Sequence, residues 1–297
     1  MLSDSLFNNP QIAAEYEALF FSNGTLFLNS TRGKHLQINN PPSFSRELLT
    51  LCEQNLSVEQ ILTKFEENIR GKVSKMLLKL AAFGVVKENL FKARPPQISE
   101  QVFARFKTEI EYFRMFENKE NSAFDYFNRL RNARVCVLGV GGNGSIIAMM
   151  LAAAGVGHIH LVDGDHVEES NLLRQIFYTE SDAEIKIKKV DSLKSKIENL
   201  SKYTKVTVSA KYISTADDLD KEIIGNDCVV LAADMPRFKI NYWVNEKCNK
   251  YQIANINAFS GIIGPFVIPG ESDCFDCFEN MFRRKVGPVH DEIVSAL

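Results

Sequence analysis

At 297 residues, with 45% hydrophobic and 24% charged residues, the chain is long enough for two domains and a sizeable core. A formal net charge of −2 gives no general attraction to nucleic acid or to an anionic membrane, and the longest mostly apolar run, 146–156, is too short to cross a bilayer. The N-terminus has no basic stretch ahead of an apolar core, so no secretory signal is expected and the chain reads as cytoplasmic.

In chain order, Phe20-Phe21 and Thr25-Leu-Phe-Leu28 flank Ser22-Asn23-Gly24, the composition of a β-hairpin with its turn. Three helical patterns follow. The first covers 44–54, with Ser43 as a candidate cap. The second opens on Ser57-Val-Glu-Gln60, a capping-box form, and the third covers 72–83 and ends at Gly84 ahead of a short strand at Val85-Val86. Strands plus three helices in about 90 residues make a small winged-helix-like α+β unit, expected over 1–95. Its lysines (Lys72, Lys75, Lys79) are balanced by Glu59, Glu66 and Glu67, so they read as a solvated face and not as a nucleic-acid surface. Lys92-Ala-Arg-Pro-Pro96 reads as the linker to a second domain over 96–297, because the proline pair cannot continue a helix. The aromatic-rich stretch 98–130 reads as core or subunit contact.

From Arg134 the pattern alternates. Strands are expected at 135–138, 159–162, 205–210 and 228–232, and helices near 144–154, 188–199, 217–224 and 237–250. That alternation predicts a Rossmann-like, doubly wound, mostly parallel sheet. At its centre lies Gly139-Val-Gly-Gly-Asn-Gly-Ser145, between a buried strand and an apolar helix. Gly139, Gly141, Gly142 and Gly144 let the backbone approach phosphates that a Cβ would hold off, and the helix start favours an anion. Asp163, nineteen residues after Gly144 and at the end of the next strand, suits a ribose hydroxyl.

A glycine pattern alone fits any dinucleotide fold, and three later features sharpen it. Asn171-Leu-Leu-Arg174-Gln175 follows Asp163 and Asp165; an arginine there can pair with phosphate oxygens, and asparagine can hold ribose or phosphate. In Lys186-Ile-Lys188-Lys189 one lysine at a helix start could reach a triphosphate, whereas Lys189, Lys194 and Lys196 read as a solvated face. Asp234, after the fourth strand of the alternating region, stands where ligands of open α/β sheets bind. It could hold Mg2+ between phosphates or simply cap the next helix. Among six cysteines, Cys52, Cys136, Cys228 and Cys248 sit singly in apolar segments and read as buried thiols. Only Cys274 and Cys277 form a spaced pair.

Together, the glycine run with Ser145, Asp163-Gly-Asp165, Asn171 to Gln175, Lys188, Asp234 and the Cys274/Cys277 pair resemble the ThiF/MoeB/ubiquitin-activating (HesA/MoeB/ThiF) adenylyltransferase family. Members adenylate a C-terminal carboxylate with Mg-ATP and release pyrophosphate. The resemblance covers roughly 110–297, and within the family it is strongest to the microcin C-type branch. That likeness rests on the run from Ala232 to Cys248 and on Gly264-Pro-Phe-Val-Ile-Pro-Gly270. The first ninety residues resemble, by element order, the PqqD-like leader-recognition fold.

The resemblance implies Gly141, Gly142 and Gly144 along the phosphates and Asp163 on the ribose. Asn171, Arg174 and Lys188 would contact phosphate, and Asp234 would hold Mg2+. Gly139, Ser145, Asp165, Gln175 and Lys186 complete the expected nucleotide site. Lys188 is preferred to Lys186, although a one-residue insertion precedes the lysines. Cys274 and Cys277 would supply half of a structural Zn2+ site whose second cysteine pair the chain lacks, so the C-terminal domain is expected to be incomplete. The family also carries an arginine that reaches the partner subunit's site; Arg114 and Arg105 are the candidates here. No cysteine is placed as a thioester acceptor.

The expected function is ATP-dependent adenylation of a ribosomally made precursor peptide in peptide natural-product, microcin-like antibiotic biosynthesis. The chain is expected to act as a homodimer, with neither nucleic acid nor membrane as partner. Alternatives are activation of a ubiquitin-like or sulfur-carrier protein, a non-catalytic leader-presenting subunit of a peptide heterocycle synthetase, and an NAD-dependent dehydrogenase.

Overall fold

The computed structural model describes residues 8–31, 33–118, 120–259 and 262–287. It divides into two units, 1–116 and 117–297. The first contains β1 (Pro10–Ile12), β2 (Tyr16–Phe20), β3 (Thr25–Ser30), β4 (Leu36–Asn39), α1 (Ser45–Cys52), α2 (Val58–Thr63), α3 (Glu67–Ala82), β5 (Val86–Glu88) and α4 (Glu100–Phe113). β2, β3 and β4 form an antiparallel sheet, and β1 pairs with β5.

The hairpin turn forms where the sequence predicts it. Gly24 sits at φ +80°, its N–H donates to the Phe21 carbonyl, and the Asn23 side chain accepts from the Thr25 N–H. Strand alternation buries Leu26 and Leu28 against Leu48, Ile61, Val73, Leu77 and Leu80 of the three helices. The Ser57 capping box is present with both reciprocal hydrogen bonds, at 3.1 and 2.9 Å. Ser43 does not cap α1; Phe44 occupies that position, and a backbone bond from the Ser45 N–H to the Pro42 carbonyl closes the entry turn instead. α4 belongs to this first unit and buries Phe103, Phe106 and Ile110, so those aromatics are core.

The second unit contains α5 (Ala123–Asn132), β6 (Arg134–Leu138), α6 (Gly142–Ala154), β7 (His158–Val162), α7 (Glu180–Glu184), α8 (Lys189–Leu200), β8 (Lys205–Ser209), α9 (Asp220–Ile223), β9 (Cys228–Leu231), α10 (Lys239–Tyr251), β10 (Ala254–Phe259), β11 (Ile262–Val267) and α11 (Phe275–Val286). Its sheet has the order β11-β10-β9-β6-β7-β8, parallel except for β11. Two apolar clusters cover its faces. Val137, Ile159 and Leu161 pack with α6 and α8, while Cys136, Leu138 and Leu231 pack with α9 and α10.

The helix expected near 217–224 is shorter, a 3-10 turn (Ala216–Leu219) running into α9. The Asp218 carboxylate there accepts from the Ser214 and Thr215 N–H groups and tightens the turn. Among the described residues no helix is long and apolar enough to cross a membrane.

Candidate nucleotide site at the sheet switch point

The chain leaves β6 for β7 and β8 on one side, then returns to place β9 on the other. The ends of β6 and β9 therefore flank the point where strand order reverses, the usual ligand crevice of an open α/β sheet. The glycine turn lies there. Gly139, at φ +83°, has the backbone of the turn after β9 directly against it: an added Cβ would meet the Ala233 nitrogen at 2.6 Å. At Gly144 a Cβ would lie 1.9 Å from the Gly139 carbonyl oxygen, so glycine is required for α6 to start so close to the strand. Gly141 and Gly142 are different. A Cβ on them would find nothing nearer than the Gln175 amide nitrogen at 3.8 Å and the Arg174 carbonyl oxygen at 3.7 Å. Their bareness leaves an open cradle at the N-terminus of a 13-residue helix, where unpaired N–H groups favour an anion.

The turn after β7 braces this cradle. Asp163 accepts from the Val140 N–H through one carboxylate oxygen and from the Asp165 N–H through the other, both at 2.8 Å. Each carboxylate oxygen retains a lone pair for a ribose hydroxyl. The Val140 carbonyl accepts from the Tyr178 hydroxyl at 2.6 Å, so both backbone groups of that residue are held. Asp165 accepts from Lys189 Nζ and from the Tyr212 hydroxyl, each at 2.9 Å. Burial works to raise the Asp165 pKa, but the hydrogen bonds from Lys189 and Tyr212 outweigh it and hold the carboxyl below its usual range. Lys188 Nζ donates to the Gly164 carbonyl at 2.7 Å, so its ammonium already sits on the Asp163–Asp165 turn.

Lys189 corrects the sequence expectation. It is buried, 5% exposed, and ion-paired with Asp165, not part of a solvated face. Lys196 likewise pairs with Asp182 at 2.6 Å, whereas Lys194 is the solvated one of the three. Sequence reasoning finds Asp165 but misses Tyr178, Tyr212 and Lys189; nothing in a single tyrosine's neighbours indicates that its hydroxyl will reach a turn far away in the chain.

Of the segment 171–175, Gln175 brings its side chain to the cradle. It is buried, with its Nε2 turned to Gly141, and its Oε1 has no hydrogen-bond partner among the described residues. Arg174 brings its backbone carbonyl against Gly142, while its exposed guanidinium donates to the Ser170 carbonyl at 3.1 Å. Two expected ligand contacts have other work. Asn171 is buried, and its Oδ1 accepts from the Glu168 N–H as part of a cap. Ser145 is fully buried, with its hydroxyl donating to the Gly142 carbonyl, so it shapes the turn from beneath. Lys186, at φ +49°, lines a separate depression with Glu168, Glu169, Glu180 and Glu184, which offsets its charge there. Asp234 follows directly on the backbone that abuts Gly139. It is exposed, and its carboxylate has no partner among the described residues.

A ThiF family model matches residues 115–293, more than half of the chain. The chain belongs to the ThiF family. Among curated ThiF-type relatives, it is 28% identical over 180 residues to Ubiquitin-like modifier-activating enzyme 5 of Bombyx mori, covering 56% of this chain and 45% of that protein. To the Sulfur carrier protein ThiS adenylyltransferase of Bacillus subtilis (strain 168) it is 30% identical over 154 residues, covering 50% and 44%. The chain thus spans about half the length of the curated relatives it matches. Among solved structures, E. coli MccB with MccA-N7isoASN shares the fold at a TM-score of 0.68 and 22% identity, covering 90% of this chain and 74% of that one. PaaA does so at 0.72 and 23%, covering 88% and 79%.

The ThiF resemblance implies two metals, which fit unequally. Mg2+ takes most of its ligands from water and phosphate, so one exposed carboxylate without a partner among the described residues, that of Asp234, suits it. Zinc is not supported. The Cys274 and Cys277 sulfurs lie 3.8 Å apart at the start of α11, about the edge of a tetrahedral thiolate site. Two donors do not complete that site, and among the described residues no group of three His, Cys, Asp or Glu could hold a metal. Cys52, Cys136 and Cys248 are buried free thiols and Cys228 is half-buried. Burial pushes the Cys248 thiol up to about 12, which leaves it protonated and unsuited to thioester chemistry. Neither arginine considered for the partner's site is shown free for it. Arg114 is buried and donates to the Glu88 carbonyl at 2.6 Å inside the first unit, and Arg105 lies over the Phe106 ring.

Proposed function

We propose that this chain uses Mg-ATP to adenylate the C-terminal carboxylate of a ribosomally made precursor peptide, recruited by the N-terminal unit. The observation that carries this reading is the carboxylate of Asp234, exposed and without a partner among the described residues, on the turn whose backbone abuts Gly139 at the head of the glycine turn. A hydride-transferring dinucleotide enzyme needs no acid there, whereas a triphosphate with its cation does.

The reaction asks mainly for positioning and charge stabilisation. A peptide carboxylate oxygen attacks the α-phosphorus, the bond to the bridging α–β oxygen breaks, and pyrophosphate leaves with both electrons of that bond. Bound Mg2+ would neutralise phosphate charge from the side of Asp234. The α6 start and the amides of the cradle receive the phosphates, and Asp163 takes the ribose. Lys188, which donates to the Gly164 carbonyl, would have to leave it to meet charge growing on the leaving group. Arg174 requires the same release from Ser170. Lys188 is favoured over Lys186, whose neighbours are glutamates.

Solved structures of MccB with ATP or with MccA share the fold over about nine-tenths or more of this chain. That supports a peptide substrate and the microcin-like assignment. A second reading, activation of a ubiquitin-like or sulfur-carrier protein, is favoured by the names of the curated relatives. Homodimerisation and a cytoplasmic location remain part of the proposal.

The test is ATP–pyrophosphate exchange with short precursor peptides, set against small ubiquitin-like carrier proteins. Exchange that requires a peptide and disappears in Lys188→Ala supports the first reading. Exchange with carrier proteins alone moves the assignment to the second, and peptide binding without any exchange removes both in favour of a non-catalytic leader-presenting role.

A further inference from the structure

We propose that Tyr212 carries the nucleobase of the bound nucleotide, which stacks on the outer face of its ring. This deepens the adenylation reading and rests on it. Tyr212 follows β8, the strand beside β7, and the Asp163 N–H donates to the Ser209 carbonyl at 3.2 Å, so the two turns adjoin. The ring lies flat against Gly164: a Cβ there would meet Cγ at 2.6 Å and both Cδ atoms at 2.7 Å. No other residue type fits beneath it.

The tip of the ring is also fixed. Its hydroxyl donates to Asp165 Oδ1 at 2.9 Å, and that hydrogen bond to a carboxylate pushes the phenol's ionisation up, so it remains a neutral donor at neutral pH. Yet the residue is 64% exposed. An aromatic side chain held at one face and at its hydroxyl, with the other face in water, is a preorganised stacking surface.

Its location follows from the shape of a nucleotide. Ribose carries its phosphates and its base at opposite ends of the sugar. With phosphates at the start of α6, on the β6 side, and the sugar at Asp163, at the end of β7, the base extends toward β8. Tyr212 is the large aromatic exposed at that end of β8. Stacking alone accepts any purine, so the ring would supply affinity and orientation, and discrimination between purines would have to come from other groups.

The experiment compares equilibrium binding of Mg-ATP and of inorganic tripolyphosphate to the full chain and to its Tyr212→Ala and Tyr212→Phe variants. Loss of a stacking ring weakens base binding about tenfold. Tyr212→Ala is therefore expected to weaken ATP by about that factor and to leave tripolyphosphate unchanged, while Tyr212→Phe keeps ATP within about twofold. The inference is overturned if Tyr212→Ala leaves ATP binding intact. Equal weakening of both ligands overturns it as well, because the ring would then only prop the turn. A wild-type chain that binds neither ligand removes the adenylation reading itself and this one with it. Wild-type binding with an unaffected alanine variant removes this one alone.

Discussion

The turns after β7 and β9 flank the glycine turn on its two sides, and they are built on opposite lines. The β7 turn is tied down before any ligand arrives: Asp163 holds two N–H groups, Asp165 holds Lys189 and Tyr212, and Lys188 sits on the Gly164 carbonyl. The β9 turn presses its backbone on Gly139 and leaves the carboxylate of Asp234 exposed without a partner among the described residues. A braced turn contributes to stability as well as to binding. An unbraced charge contributes little to stability.

That contrast can be broken most directly at Asp234. Asp234→Asn is expected to reduce pyrophosphate exchange by at least about 100-fold, the scale of one lost charge-stabilising group, with the melting temperature unchanged. A lowered melting temperature would mean that Asp234 is structural, as a helix-capping role requires. Next in size, Gly144→Ala forces a Cβ onto the Gly139 carbonyl oxygen and should cost about 3 kcal/mol of unfolding free energy, read by denaturant titration. A near-neutral result would show that α6 can withdraw from β6.

On the braced side, Lys189→Met removes the buried partner of Asp165 and should cost about 1 kcal/mol, because the Asp165 side chain is half exposed and screened by water. The Asp165 pKa is lowered in the folded state. Its contribution is therefore present above the unfolded carboxyl pKa, about 4, and is lost as pH falls through the folded value. The stability gap between wild type and Lys189→Met should accordingly narrow in unfolding titrations below about pH 4. A gap that stays constant would assign the effect to packing. The smallest effect is expected from Lys186→Ala, which should leave exchange within about twofold and stability within about 0.5 kcal/mol, in contrast to Lys188→Ala.

The parts of this site that lie within a few residues of each other were legible in the sequence. Strand, glycine turn, helix and the acid at the end of the next strand follow from local apolar patterning and from the need to omit a Cβ, and the structure shows which glycines that need applies to. The Ser57 capping box was legible for the same reason. What was hidden depends on folding distant segments together. Tyr178 and Tyr212 reach the turns at Val140 and Asp165 across 38 and 47 positions of chain. Lys189 looked solvated because its neighbours are lysines, and only the approach of Asp165 buries it. β10 and β11 escaped the strand pattern for a related reason. β10 carries Asn255 and Asn257, both buried, and β11 contains Pro265, which argues against a strand until its edge position is known.

Val140, through its two backbone groups, determines which amides remain for a guest. Its N–H is occupied by Asp163 and its carbonyl by Tyr178, while the Gly139 N–H is taken by Val162. The donors still open to an incoming anion therefore begin at Gly141 and run through the first turn of α6. In hydrogen–deuterium exchange, Val140 should be slow with or without nucleotide, and Gly142 and Asn143 should slow only when nucleotide is added. The binding event would be written into two or three amides, on a loop that does not otherwise change its protection.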